Sequence, residues 1–192
     1  MLNFFKENGY TIFKMMVNQI GMTMFGLTLS MATYRNDMLL LLTCLFSIGF
    51  YMVLLYTMSW DCGLREKVRV DGNRMKYQPL KGLWMSLCAN VINFILAICI
   101  IVSYYSLTDF ATGQPEGAYT VYYITKMIAI FIQGMYNGII SLYAPYNPFA
   151  FLAIIVPALV SSTLGYYLGL NNRRLLGFIS KAGNHNKDKI SR

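Results

Sequence analysis

Five polar residues inside apolar runs are the ones whose types and spacing could bind a ligand. Asn90 and Asn93 stand three positions apart, and Lys126, Gln133 and Asn137 fall on one helical face at i, i+7 and i+11. Such groups could form a pocket for a small polar ligand. They could equally join neighbouring helices through hydrogen bonds worth about 0.6 kcal/mol each. The sequence favours this second role for Asn90 and Asn93.

Patterns typical of catalysis or metal binding are missing from the sequence. It contains no G-x-S-x-G, no H-E-x-x-H and no glycine-rich phosphate loop. The four cysteines form no C-x-x-C pair, and His185 is the only histidine. We therefore expect no cofactor, no metal and no enzymatic activity. No carboxylate falls inside a long apolar run, which disfavours an ion-coupled transporter.

The composition predicts an integral membrane protein of the α-helical kind. Apolar residues make up 56% of the 192 residues, and charged residues make up 12%, about half of the roughly 25% usual in soluble domains. The net charge of +8 comes from 16 basic and 8 acidic residues. Because the basic residues flank the apolar runs, they indicate membrane orientation and not nucleic-acid binding.

Four apolar runs are long enough to cross a membrane, which takes about 20 residues. They cover residues 15–33, 38–59, 82–107 and 149–170, and the short turn after the first run requires an antiparallel hairpin. Residues 119–143 are also apolar overall but carry the polar positions named above. We expect four transmembrane helices plus one interfacial or re-entrant helix at 119–143. The alternative is five transmembrane helices.

The distribution of charge favours four crossings. With the polar loop 60–81 in the cytoplasm, four crossings place 14 basic residues on the cytoplasmic side. These are Lys6, Lys14, six in the loop and six in the tail 171–192, against Arg35 outside, when Lys126 within the 119–143 helix is left aside. Five crossings would move the tail outside and remove this asymmetry. The prediction is a plasma or inner membrane protein with both termini in the cytoplasm.

Glycine pairs and one proline predict details within the helices. Gly134-x-x-x-Gly138 and Gly165-x-x-x-Gly169 are spacings that let helices approach closely. Pro157 predicts a bend inside the last run. Aromatic residues gather near the predicted outer loops, as in an interfacial belt or the roof of a pocket. They are Tyr104, Tyr105, Tyr119, Tyr122, Tyr123, Tyr136, Tyr143, Tyr146 and Phe149.

The predicted cytoplasmic face is basic, and we expect it to contact anionic lipids or a protein partner. Within its loop, Asp71-Gly72 is typical of a β-hairpin turn, although a plain surface loop fits as well. The residues expected to make these contacts are Arg65, Lys67, Arg69, Arg74, Lys76, Arg173 and Arg174.

The function expected from these features is not enzymatic. The first expectation is a transport-associated or ligand-binding membrane subunit that works with a partner. The alternative is a structural or regulatory membrane protein that acts by association with proteins or lipids. A membrane enzyme ranks third. Expected partners are membrane lipids and a protein in the membrane or at the cytoplasmic face, without nucleic acid.

Overall fold

The computed structural model describes residues 2–108, 116–144 and 147–173, and helices dominate these ranges. No strand occurs among the described residues, so the predicted all-α class is confirmed. The first half of the chain forms α1 (Leu2–Thr33), α2 (Asp37–Asp71), α3 (Lys81–Ala89) and α4 (Val91–Thr108). The second half forms α5 (Glu116–Ile132), a 3₁₀ turn (Gly134–Tyr136), α6 (Asn137–Tyr143), α7 (Ala150–Ala153) and α8 (Val156–Leu170).

The first two helices form the predicted antiparallel hairpin. Asn36 caps α2, because its side-chain oxygen accepts hydrogen bonds from the backbone N–H groups of Met38 and Leu39. Further along the pair, the Asn18 amide lies 2.8 Å from the sulfur of Met58. The two helices therefore stay in contact over most of their length.

The prediction of a loop at 60–81 is wrong for residues 60–71, because α2 continues to Asp71. Its buried positions keep a helical spacing through Cys62 and Glu66, so the same helix face stays covered. Gly72 then caps the helix, and Asn73 adopts a positive φ of 54°. The Asp71-Gly72 pair thus ends a helix and does not turn a β-hairpin.

Three predicted continuous helices are in fact broken. The run 82–107 bends by 60° around Asn90, between α3 and α4. The stretch 119–143 breaks at Gln133, between α5 and the 3₁₀ turn. The last run is interrupted by two turn residues, 154–155, just before Pro157 in the first turn of α8, although residues 150–170 still form one helical segment long enough to cross a membrane. Proline is tolerated in that first turn, where its missing N–H has no helical acceptor.

The most extensive helix pair is α2 with α8, and the two helices run parallel. Ser161 donates a hydrogen bond to the Met52 carbonyl oxygen at 2.6 Å. One turn further on, a Cβ added to Gly165 would lie 2.5 Å from the carbonyl oxygen of Tyr56. The close approach predicted for the Gly165–Gly169 pair is therefore confirmed.

The path of α5 and α6 turns back on itself. The Ile132 carbonyl oxygen at the end of α5 accepts a hydrogen bond from the Thr23 hydroxyl, midway along α1. After the 3₁₀ turn, α6 leads towards the start of α2, where a Cβ added to Gly138 would lie 3.0 Å from Leu40 Cγ. The chain therefore reaches the middle of the bundle and leaves it again.

Two described helical segments are long and apolar enough to cross a membrane, namely α2 and residues 150–170. The bent pair of α3 and α4 makes a third if it is counted as one span. α1 has the length but falls short of the same apolarity, since Asn18 and Gln19 interrupt it. The membrane character predicted from composition therefore has support in the length and apolarity of these helices.

Candidate functional site

A small polar cavity lies where the three helix breaks meet. Its volume is about 10 Å³, close to the smallest space that holds one water molecule. We call it the central polar cavity. Its lining residues are Gln19, Tyr51, Asn90, Asn93, Gln133, Met135, Tyr136, Ile154, Ile155 and Ala158.

Two asparagines form the wall at the break between α3 and α4. The Asn90 side-chain N–H donates to the Ser86 carbonyl oxygen at 2.9 Å, and the Asn93 N–H donates to the Asn90 side-chain oxygen at 2.8 Å. Asparagine side chains compete with the backbone for hydrogen bonds in this way, which weakens a helix locally. The break therefore has a cause in the sequence, and it fixes both amides at the cavity.

The opposite wall is the break between α5 and the 3₁₀ turn. Gly134 follows Gln133 and allows a close approach to α1, since a Cβ added there would lie 3.1 Å from a methyl group of Leu27. The Ile132 carbonyl oxygen accepts hydrogen bonds from the Thr23 hydroxyl at 2.8 Å and the Gln19 amide at 3.5 Å. α1 thus satisfies a carbonyl group that the broken helix leaves free.

Four buried polar atoms at this cavity have no hydrogen-bond partner among the described residues. They are the side-chain oxygen of Asn93, both amide atoms of Gln133 and the hydroxyl of Tyr136. These three residues are at most 5% exposed. An unsatisfied buried polar group costs about 1–3 kcal/mol, so this concentration in one place calls for a ligand or bound water.

The free atoms define the chemistry that the cavity can recognise. Gln133 offers one donor and one acceptor whichever way its amide is turned, and Tyr136 offers a hydroxyl that does both. None of the ten lining residues is charged. Burying a charge without a partner is costly, so the cavity suits an uncharged polar species.

The five residues predicted to bind a ligand separate into three places. Asn90, Asn93 and Gln133 meet at the central polar cavity. Asn137 lines a different cavity of about 370 Å³ between α1, α2 and α6, and the Lys126 ammonium lies 5.5 Å from the centre of the Tyr122 ring. The prediction that Lys126, Gln133 and Asn137 share one helical face is wrong, because the helix is broken at Gln133, between α5 and the 3₁₀ turn. Ligand binding by these residues stays a prediction.

The predicted aromatic grouping is present in part. Ring contacts join Tyr104 to Tyr122 and Tyr105 to Phe149, each with ring centres 6.2 Å apart. Tyr136 belongs to the central polar cavity instead. The side chains of residues 119 and 146 lie outside the described residues.

A buried ionic cluster, which the sequence did not predict, joins α2, α3 and α8. The Lys81 ammonium lies 2.5 Å from one carboxylate oxygen of Glu66, and the Tyr166 hydroxyl donates to the other at 2.5 Å. A second carboxylate, that of Glu7 on α1, lies 3.9 Å from the same ammonium. Glu66, Lys81 and Tyr166 are all buried, so their charges and hydrogen bonds satisfy one another.

The spacing of buried residues on α2 could have revealed Glu66. Leu55, Ser59, Cys62 and Glu66 follow one another at intervals of four, three and four, which is one face of a helix. We expected the span to end at Ser59 and therefore placed Glu66 in a loop. Glu66 lies on the part of α2 that continues beyond the apolar run 38–59, so it does not contradict the expectation that no carboxylate falls inside a long apolar run.

The basic residues predicted to contact lipid or a partner gather at one end of the bundle. Three lie on the last turns of α2, two lie in the segment that follows it, and Arg173 follows α8. The Arg173 carbonyl oxygen accepts a hydrogen bond from the Trp60 indole at 2.8 Å, which ties the ends of α2 and α8 together. Arg174 lies outside the described residues. Their contacts stay a prediction.

No known protein family, curated protein or solved structure matches this chain significantly. Within the described ranges, no three His, Cys, Asp or Glu residues come together as a metal site would require.

Proposed function

We propose that this chain is a non-enzymatic, transport-associated membrane subunit that binds a small uncharged polar ligand in the central polar cavity. The observation that carries this proposal is the set of unpartnered polar atoms at the meeting of three helix breaks. Broken helices at the middle of the bilayer form the substrate sites of many transporters. Irregular backbone is tolerated there where it lines a cavity.

In the proposed topology, four segments cross the membrane: α1, α2, α3 with α4, and α7 with α8. The parallel course of α2 and α8 supports it, because both helices then start at one face. The end of α4 belongs to that face too, since Tyr105 touches Phe149 just before α7. α5 and α6 enter and leave through this face as a re-entrant pair, which follows from their contacts with Thr23 and Leu40.

The cavity in this arrangement lies deep in the bilayer. Tyr51 stands 14 residues after the start of α2, which is about 21 Å along a helix in a hydrocarbon core about 30 Å thick. The present volume admits only a water-sized species. A larger ligand requires the backbone at Asn90 or Gln133 to open. We propose that a protein partner at the basic, cytoplasmic end controls this opening.

Native mass spectrometry of the protein released from lipid nanodiscs tests the proposal. The wild type is compared with Asn93→Leu and Gln133→Leu, which remove the unpartnered oxygen of Asn93 and both unpartnered atoms of Gln133, the former together with the hydrogen bond from Asn93 to Asn90. Asn18→Leu is the matched control, because its amide lies outside the cavity, against Met58. We expect the wild type and Asn18→Leu to carry an additional small-molecule mass that both cavity variants lose.

Two results would overturn the proposal. One is a wild-type protein that carries neither a small molecule nor a protein partner. The other is an equal loss of the small molecule in Asn18→Leu and in the cavity variants, which would place it elsewhere. Thermal unfolding of each variant establishes that a lost mass reflects binding and not misfolding.

The second candidate function is structural or regulatory association through the basic end. The observation in its favour is the exposure of Arg65, Arg69, Arg74 and Lys76 together at that end. Basic groups at a membrane surface attract anionic lipids and acidic partners. A homo-oligomer without any small molecule in the same spectra would favour this candidate over ligand binding.

A further inference from the structure

A third and much larger cavity opens on the surface at the basic end of the bundle. It lies between the start of α1, the segment after α2 and the start of α3, and its volume is about 760 Å³. We call it the apolar groove. Its lining residues are Phe4, Phe5, Tyr77, Gln78, Pro79, Leu80, Lys81, Trp84 and Cys88.

The groove is accessible and lies at the level where the apolar helices give way to polar segments. Leu80 is 58% exposed and Trp84 is 59% exposed, although both are large apolar side chains. Tryptophan and tyrosine concentrate at the boundary between hydrocarbon and headgroups. In a membrane, an apolar groove at this depth is filled by lipid chains, because an empty one would lose its packing contacts.

Two exposed lysines are next in sequence to residues that line the groove. Lys6 directly follows Phe5, Lys76 directly precedes Tyr77, and both lysines are exposed. Lys81 lines the groove, but its ammonium is already paired with Glu66. The exposed Glu7 carboxylate lies 3.9 Å from the same ammonium. Lys6 and Lys76 do not line the groove, but each is next in sequence to a lining residue, so an anionic headgroup there would have a basic neighbour on α1 and on the segment after α2.

We propose that the apolar groove holds one acyl chain of an anionic glycerophospholipid, whose phosphate group lies beside Lys6 and Lys76. The volume agrees with the 300–1,000 Å³ or so of typical ligand sites. The proposal requires insertion in a membrane, but it does not depend on the central polar cavity. It assigns the bound lipid to one site and not to the whole basic face.

Competition between two lipids tests the assignment. The protein is reconstituted in nanodiscs of equal phosphatidylglycerol and phosphatidylcholine, released, and its retained lipids are weighed by native mass spectrometry. We expect one retained phosphatidylglycerol on the wild type. The double variant Lys6→Ala/Lys76→Ala is expected to lose this preference, by roughly fivefold per lysine.

A matched control removes two charges at the same end but away from the groove. Arg65 and Arg69 are exposed on the last turns of α2 and do not line it. Arg65→Ala/Arg69→Ala should therefore retain phosphatidylglycerol as the wild type does. Cys88→Phe narrows the groove while leaving every charge in place, and we expect it to weaken retention of the lipid.

Three outcomes would overturn the proposal: equal retention of both lipids, no retained lipid on the wild type, or equal losses in the two double variants. The last would show a diffuse attraction to the basic face. The two lysine positions are exposed, so the double variant Lys6→Ala/Lys76→Ala is expected to unfold at the wild-type temperature. This double variant therefore tests the proposal even if Cys88→Phe is unstable.

Discussion

Two buried tyrosines in this protein, Tyr136 and Tyr166, differ in whether the hydroxyl has a hydrogen-bond partner. The Tyr136 hydroxyl has no partner among the described residues, whereas the Tyr166 hydroxyl donates to the Glu66 carboxylate. We expect Tyr166→Phe to lower the free energy of unfolding by about 1.5–3 kcal/mol, as for a hydrogen bond to a charged group. Tyr136→Phe should leave it unchanged or raise it. Thermal unfolding of both variants in one detergent measures the difference.

Tyr10→Phe serves as the control for the tyrosine pair, because Tyr10 is 76% exposed and should not respond. Equal losses in Tyr136→Phe and Tyr166→Phe would contradict the expectation. They would mean that the Tyr136 hydroxyl is satisfied in solution by something other than this chain. Removing bound ligand or lipid by extensive detergent washing would then restore the difference between the two variants.

The residues of the central polar cavity were only partly predictable. Asn90, Asn93 and Gln133 can be identified from the sequence because they are polar residues inside long apolar runs. Lys126 and Asn137 were grouped with Gln133 wrongly, since helical periodicity assumes that the helix is unbroken. The pairing of Glu66 with Lys81 joins two helices across a turn, and spacing along one helix cannot reveal it.

At the scale of helices, the contact between α2 and α8 gives a matched pair of glycine substitutions. A Cβ on Gly165 would meet the Tyr56 carbonyl oxygen, whereas a Cβ on Gly49 of α2 would meet nothing within 4 Å. We expect Gly165→Ala to destabilise the protein by about 1–3 kcal/mol through overpacking. Gly49→Ala should stabilise it by about 0.5–1 kcal/mol, as alanine does in a helix interior. Unfolding by a denaturing detergent measures both.

A stabilising effect of Gly165→Ala would contradict the close approach of α2 and α8. The helices could then separate without loss, and the glycine would have no packing role. Gly21→Ala on α1 provides a second control, because its added Cβ would also meet nothing within 4 Å. Gly49→Ala and Gly21→Ala both measure the preference of a helix for alanine over glycine. If both variants stabilise the protein, the destabilisation by Gly165→Ala is due to the contact at Gly165.

Apolar runs and short turns predicted which segments are helical, but not where the helices break. The break at Gln133 depends on α1, whose Thr23 hydroxyl satisfies the freed Ile132 carbonyl oxygen. That partner lies 109 positions away in the sequence. The extension of α2 to Asp71 likewise depends on Lys81 and Tyr166, which satisfy the buried Glu66 carboxylate. Tertiary contacts therefore decided both features.

Across the whole molecule, α3 connects the basic end with the central polar cavity. Lys81 at the start of α3 belongs to the ionic cluster, and Asn90 just after its end lines the cavity. The helix between them has nine residues, which is about 14 Å. If the proposed partner binds at the basic end, α3 is the helix that connects its site with the wall of the central polar cavity.

The proposed four-crossing topology makes a prediction that the five-crossing alternative reverses. We expect cysteines placed at Arg35 and Asn147, in a protein without native cysteines, to react with an impermeant thiol reagent on intact cells. Cysteines placed at Arg74 and Ser191 should react only after permeabilisation. The reason is that α5 and α6 return to the face where they entered, so that Asn147 stays outside and α8 then leads inwards. Labelling of the Ser191 cysteine on intact cells, with protection of the Asn147 cysteine, would show that residues 119–143 cross the membrane and would remove the re-entrant pair from the proposed site.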